Sequence, residues 1–222
     1  MTTTTEFFDA VRSGDVAAVD EHLRGDSTLA SARNESGVSA LLWAYYNGQH
    51  DVAERLLSSG VELNIFEAAA AGDLARTRAL LARDPGLVDA CSADGFSPLG
   101  LAAFFGRPEV LKLLLNEGAD PNSPSRNAMQ VTPLHSAAAN REPELSLRMV
   151  ETLLRSGADP NVRQHGGWTP LQQAAAHGRS PMVDVLLSHG ADPAARSDDG
   201  KTAADKAAEG GYGELAEQLR PR

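Results

Sequence analysis

The chain has 222 residues, 42% of them hydrophobic but only 5% aromatic, a formal net charge of −10 and a single cysteine, Cys91. A concentrated positive surface, which phosphate binding requires, is absent, so nucleic acid is excluded as an expected partner. One thiol can form neither an intramolecular disulfide nor a thiolate metal cluster. No apolar run approaches a membrane span, and residues 1–8 lack the basic and apolar parts of a signal peptide, so a cytoplasmic chain without membrane contact is expected.

Taken in order, the chain repeats one design. Glu6-Phe7-Phe8-Asp9-Ala10 leads to Gly14-Asp15, with Thr5 as the first anchor position. Ser39-Ala40-Leu41 opens a second copy that turns at Gly48. The next clear anchor, Ser97, lies 58 residues on, and those after it, Thr132, Thr169 and Thr202, follow at 35, 37 and 33. The 58-residue gap hides a further copy, Ile65 to Gly72-Asp73 and Leu80-Leu81. Aligned on its glycine, this copy has Leu63 as its anchor and lacks about nine residues just before it, given a period of about 33. Glu6 to Gly14 matches the hidden copy at the same 58-residue offset, as an old duplication of a repeat pair would.

Within a copy the residues fit one unit. Thr132 and Thr169 suit helix N-caps and Pro133 and Pro170 the first helical position, where no amide is lost. Ala102-Ala103, Ala137-Ala138 and Ala174-Ala175 keep the first helix narrow. Gly14, Gly48, Gly72, Gly106 and Gly178 end it in a left-handed cap. Leu113-Leu114, Leu153-Leu154 and Leu186-Leu187 give the second helix its buried face, and Gly-Ala-Asp-Pro closes three of the copies. The fifth copy is four residues longer than the sixth, which predicts a longer second helix or inter-helix loop around Pro143 to Arg148. Asp205, Lys206, Glu209, Glu214, Glu217 and Gln218 give the last copy the polar face of a terminal cap.

Thr132-Pro133-Leu134-His135, the paired alanines, the leucine runs and Gly-Ala-Asp-Pro-Asn, arriving in that order, make the chain resemble the ankyrin-repeat family over nearly its whole length. It looks most like small stand-alone ankyrin proteins common in bacteria. The resemblance implies an all-α solenoid of about seven helix-turn-helix repeats with short β-hairpin fingers, one finger missing before Ile65. Repeats are expected at approximately 5–36, 37–62, 63–92, 93–127, 128–164, 165–197 and 198–222 of a single domain. It also implies a structural hydrogen-bonding role for His135. Its counterparts are Leu42, Phe66, Gly100, Gln172 and Asp205, so a weaker finger network is expected. Gln130 stands where a finger glycine is usual, which predicts a distorted turn.

No catalytic constellation emerges. The six histidines fall at different repeat positions and none pairs at metal-ligand spacing. No enzyme activity, cofactor or metal is expected. The family binds protein partners through finger tips and the concave face of the first helices. In those slots stand Tyr46, Asn47, Phe96, Phe104, Phe105, Met129, Asn140, Trp168 and His177. Aromatics are scarce in this chain, and such residues typify interface hot spots. The reading is a monomeric protein–protein interaction scaffold, with a dedicated regulator, inhibitor or secreted effector of one enzyme as the alternative. The shortened junction before Ile65 predicts a notch lined by Tyr45, Tyr46 and Phe104, or a mere scar of duplication.

Overall fold

The computed structural model describes residues 4–220. Fourteen α-helices form seven consecutive pairs. The first helices are α1 (Thr4–Ser13), α3 (Ala40–Tyr46), α5 (Ile65–Ala71), α7 (Pro98–Phe104), α9 (Pro133–Ala139), α11 (Pro170–Ala176) and α13 (Ala203–Glu209). Their partners are α2 (Val16–Gly25), α4 (His50–Ser58), α6 (Leu74–Arg83), α8 (Pro108–Asn116), α10 (Pro143–Arg155), α12 (Ser180–Ser188) and α14 (Gly213–Leu219). Each helix packs on its own pair-mate, and each first helix packs on its counterpart in the next repeat, so the first helices form one layer backed by their partners. Seven-residue helices are too short to persist alone, and stacking supplies the burial that holds them.

The caps follow the residue chemistry. Ser97 Oγ accepts from Gly100 N at 3.0 Å, and Thr169 and Thr202 each complete a capping box with the residue three positions on. Two anchors differ from expectation. Thr5 lies inside α1 instead of capping it. The third repeat is capped by Asn64, not Leu63: Asn64 Oδ1 accepts from the amides of Phe66 and Glu67, and Glu67 returns a bond to Asn64 N. This repeat has one residue fewer between cap and Gly72 than the others have before their glycines, so alignment on the glycine slips by one.

The C-terminal ends of α1, α5, α7 and α9 are braced from the next repeat. Gln49 Nε2 donates to Arg12 O at 2.9 Å, Arg107 Nε to Ala70 O at 2.7 Å and Asn140 Nδ2 to Phe104 O at 3.3 Å. Arg179 reaches both Ala138 O at 2.7 Å and Asn140 O at 2.8 Å. Positive or N–H-bearing groups here satisfy carbonyls that have no partner in the helix and complement the helix dipole.

The fingers are tight turns. Among the described residues the only strand-like pairing is an isolated bridge between Arg33 and Ser39. Four turns are closed by an amide donating four residues on, as Asn34 does to Val38 O at 2.9 Å and Ser92 to Phe96 O at 2.9 Å. The fifth-repeat turn is wider, Ser125 N donating to Val131 O at 2.8 Å, and here Gln130 takes φ 49°, the one positive φ at a non-glycine residue among those described. The expected distortion is therefore real.

The expected lengthening is also found. α10 has 13 residues where α8 and α12 have nine. The missing finger is equally plain: six residues join α4 to α5, against 14 to 16 at the other inter-repeat junctions.

Candidate protein-binding face

α3 and α7 are separated by α5, whose last four residues, Ala68 to Ala71, are all alanine. With no larger side chain between them, aromatic rings from repeats 2 and 4 meet. Tyr46 lies 5.3 Å from Phe105 and 6.2 Å from Phe104, and Tyr45 lies 5.5 Å from Phe105, centroid to centroid. Phe104 and Phe105 make an edge contact at 5.0 Å. Such offset geometries are the favoured ones for aromatic pairs. Arg107, while bracing Ala70, places its guanidinium 5.6 Å above the Tyr45 ring.

The Tyr46 hydroxyl donates to Asp94 Oδ2 at 2.6 Å, across 48 residues of chain. Burial, and then the acceptor Asp94, hold this phenol far above the usual tyrosine range, so it stays protonated as a donor. Burial raises the Tyr45 phenol as well. Phe104 is 44% exposed, so it presents an accessible ring on a fixed base.

The remaining residues singled out from sequence lie elsewhere. Met129, 50% exposed, sits on the wide fifth finger, its carbonyl bonded to His165 N at 2.9 Å. His177 is exposed at the end of α11, with Nδ1 2.8 Å from Gln173 O. Trp168 is half-buried under Lys206 Nζ, 4.2 Å from its ring centre. Phe96 is half-buried within its finger, Asn47 donates to Trp43 O at 2.8 Å, and Asn140 is a brace. The structure thus brings Tyr46, Phe104 and Phe105 into one ring cluster, which Asn140 touches through Phe104 O, and the other five make no ring contact with it. Asp94, which by its place in the fourth finger also falls in a face slot, belongs to that cluster, as do Tyr45 and Arg107, which were not singled out for the face. The 58-residue offset that aligns repeats 2 and 4 was the available signal.

His135 does what the resemblance implied. It is 1% exposed, with Nδ1 2.9 Å from Thr132 Oγ1 and Nε2 3.1 Å from Trp168 O in the next finger. Thr132 consequently makes no side-chain cap. Burial pushes the His135 pKa down to about 4. The finger network is less depleted than its lost histidines suggested. Gln172 Nε2 donates to Ala195 O and Lys201 O, and Glu67, not Phe66, stands at the equivalent place in repeat 3.

The notch before Ile65 exists as a cleft of 310 Å³, but Tyr45, Tyr46 and Phe104 do not line it. Its walls include Arg33, Val38, Leu42, Phe66 and Cys91. The three rings are engaged in the cluster instead. At the tips the fingers of repeats 2 and 4 have closed together: a Cβ on Gly37 would stand 2.8 Å from that of Ala93. Among the described residues no three or more His, Cys, Asp or Glu side chains are placed to hold a metal, and no helix is long and apolar enough to cross a membrane.

A family model of ankyrin repeats in three copies matches residues 65–164 and 144–221. The chain belongs to the ankyrin-repeat family. Its first two repeats lie outside those matches but show the same paired helices, and the second has the same Ser39 cap and finger turn. Among curated proteins, ankyrin-bearing stretches are similar. The chain is 37% identical over 105 residues to the E3 ubiquitin-protein ligase XB3 of Oryza sativa subsp. japonica, covering 47% of this chain and 22% of the ligase. It is 34% identical over 110 residues to the Ankyrin repeat, SAM and basic leucine zipper domain-containing protein 1 of Nomascus leucogenys, covering 49% and 22%. Human Neurogenic locus notch homolog protein 4 is 43% identical over 82 residues, covering 36% of this chain and 4% of the relative. The aligned region spans about a fifth or less of these relatives' lengths, so the likeness is to their ankyrin repeats.

Proposed function

We propose that this ankyrin array is a protein–protein interaction scaffold, and that the end of the first-helix layer around Phe104 is its principal contact face. The observation that carries the reading is the exposed Phe104 ring, held on Tyr46 and Phe105 and so ordered before any partner arrives. Rigid, partly exposed aromatics lose little entropy on binding, and removing one from an interface centre costs about 2 kcal/mol or more. Met129 on the fifth finger and His177 at the end of α11 are further exposed side chains on the later repeats.

The proposed role is binding, not catalysis, by a monomer in the cytoplasm that needs no cofactor. Its partners are proteins, with neither nucleic acid nor membrane engaged. The full chain, immobilised and exposed to proteins of its own cell, should retain a defined set that a Phe104→Ala/Met129→Ala chain does not. Both side chains are exposed, so the helical signal should be unchanged. Equal retention by the two chains overturns the assignment of this face. A single retained enzyme in place of a set would favour a dedicated regulator.

A further inference from the structure

The apolar interior is not continuous along the array. One buried cluster runs through repeats 1 and 2 and ends on Leu63, Ala68 and Ala70. The other begins on Ile65 and Ala69 and runs to Leu219. Among the described residues, only the half-buried Phe66 and Leu80 pack against both. α5 is therefore divided between two cores, and its alanines offer little surface to join them.

The backbone shows the same break. Later fingers are tied amide to carbonyl: Arg126 N to Gly95 O at 2.7 Å, His165 N to Met129 O at 2.9 Å, Asp198 N to Gly166 O at 2.9 Å. No such bond joins the 34–38 turn to the 92–96 turn among the described residues. These two turns only touch at Gly37 and Ala93, above the 310 Å³ cleft. Polar ties across this junction come from side chains: the Tyr46–Asp94 bond at 2.6 Å and the Arg33–Glu67 ion pair, at 3.5 Å and with Arg33 half exposed.

In a repeat array, stability is a sum of repeat and nearest-neighbour terms, and partial opening occurs at the weakest junction. A cleft removes packing partners from its lining, and an ion pair stretched to 3.5 Å, with Glu67 buried but its arginine half in solvent, is a weak tie. We propose that the junction between repeats 2 and 3 is a built-in opening point, at which repeats 1 and 2 unfold as a unit from repeats 3 to 7, and that Tyr46–Asp94 is its latch. The aromatic cluster is assembled across this junction, so opening dismantles it. A partner seated on Tyr46 and Phe104 together would hold the latch closed. That last clause rests on the proposed binding role; the opening does not.

The two tryptophans report on the two sides, Trp43 in repeat 2 and Trp168 in repeat 6. Full-length Trp168→Phe and Trp43→Phe chains leave one reporter each for urea unfolding. The Trp43 signal should change at a lower midpoint than the Trp168 signal, by about 0.5 M or more. Adding Tyr46→Phe should lower the Trp43 midpoint and leave that of Trp168 in place. Because Trp168 is packed, hydrogen exchange on the unaltered chain supplies an independent reading: amides of α1 to α4 should exchange together, before those of α9 to α12. Coincident transitions with uniform protection overturn the opening point. An equal shift of both reporters by Tyr46→Phe overturns the latch.

Discussion

His135 Nε2 stands 3.1 Å from the carbonyl oxygen of Trp168, 33 residues away, and so ties the fifth repeat to the sixth finger. The ring is kept neutral by burial, with its pKa pushed down from 6.5 to about 4. The folded state therefore binds fewer protons than the unfolded state between those values. The stability this group contributes is present above pH 6.5 and is lost as pH falls toward 4. One proton allows a slope of at most about 1.4 kcal/mol per pH unit. Gln172 performs the equivalent bridging in the sixth repeat without titrating. A His135→Gln chain should stay within about 1.5 kcal/mol of the parent at pH 7.5. It should also lose part of the stability difference between pH 7.5 and pH 5, measured by urea unfolding at both.

Gln130 occupies a left-handed conformation, φ 49°, that costs an L-residue about 1–2 kcal/mol. Gly is free of that cost but loses more entropy on folding. Gln130→Gly should stabilise the chain by about 0.5–1 kcal/mol, raising the thermal midpoint by about 2 °C. The midpoint by circular dichroism checks it.

The extra turn of α10 is separable from the array. Removing residues 145–148 leaves Pro143-Glu144-Met149-Val150, the pattern of Pro108-Glu109-Val110-Leu111 at the start of α8. The turn nonetheless contributes a buried bond, Ser146 Oγ to Ala137 O at 2.6 Å, and accepts from Arg179 at 3.0 Å. The shortened chain should fold with an unchanged helical spectrum per residue and be less stable by about 1–3 kcal/mol. Loss of the cooperative transition would contradict this.

Arg179 braces the end of α9 through two carbonyls and a hydroxyl, and burial lowers its pKa. Replacing it with Met keeps much of the apolar stem but strands those acceptors. Arg179→Met should cost about 2–3 kcal/mol, whereas Arg141→Met, at an exposed turn without such partners, should stay within about 0.5 kcal/mol. Chemical unfolding of both chains decides it.

Much of this architecture is written in local residue choices. Ser97, Thr169 and Thr202 cap where their chemistry allows, and the four extra residues in repeat 5 become one more helical turn. Local patterns could not give the cap of repeat 3, because one deleted residue between Asn64 and Gly72 moves the register. Nor could they give the direction of the finger side chains. Trp168 occupies an exposed slot by pattern but turns under Lys206, a contact set by how the last repeat stacks. The Tyr46–Asp94 bond depends on a finger being absent in a repeat between them, so it belongs to no single repeat's pattern.

The contact of Gly37 with Ala93 bears on any attempt to make the array regular. A hairpin inserted before Ile65 would enter a row whose neighbours have already joined. It would have to part those turns and draw Tyr46 away from Asp94 before gaining contacts of its own. The short junction therefore behaves as a committed splice: lengthening it toward the common repeat should weaken the chain, although the same insertion would complete the pattern read along the sequence.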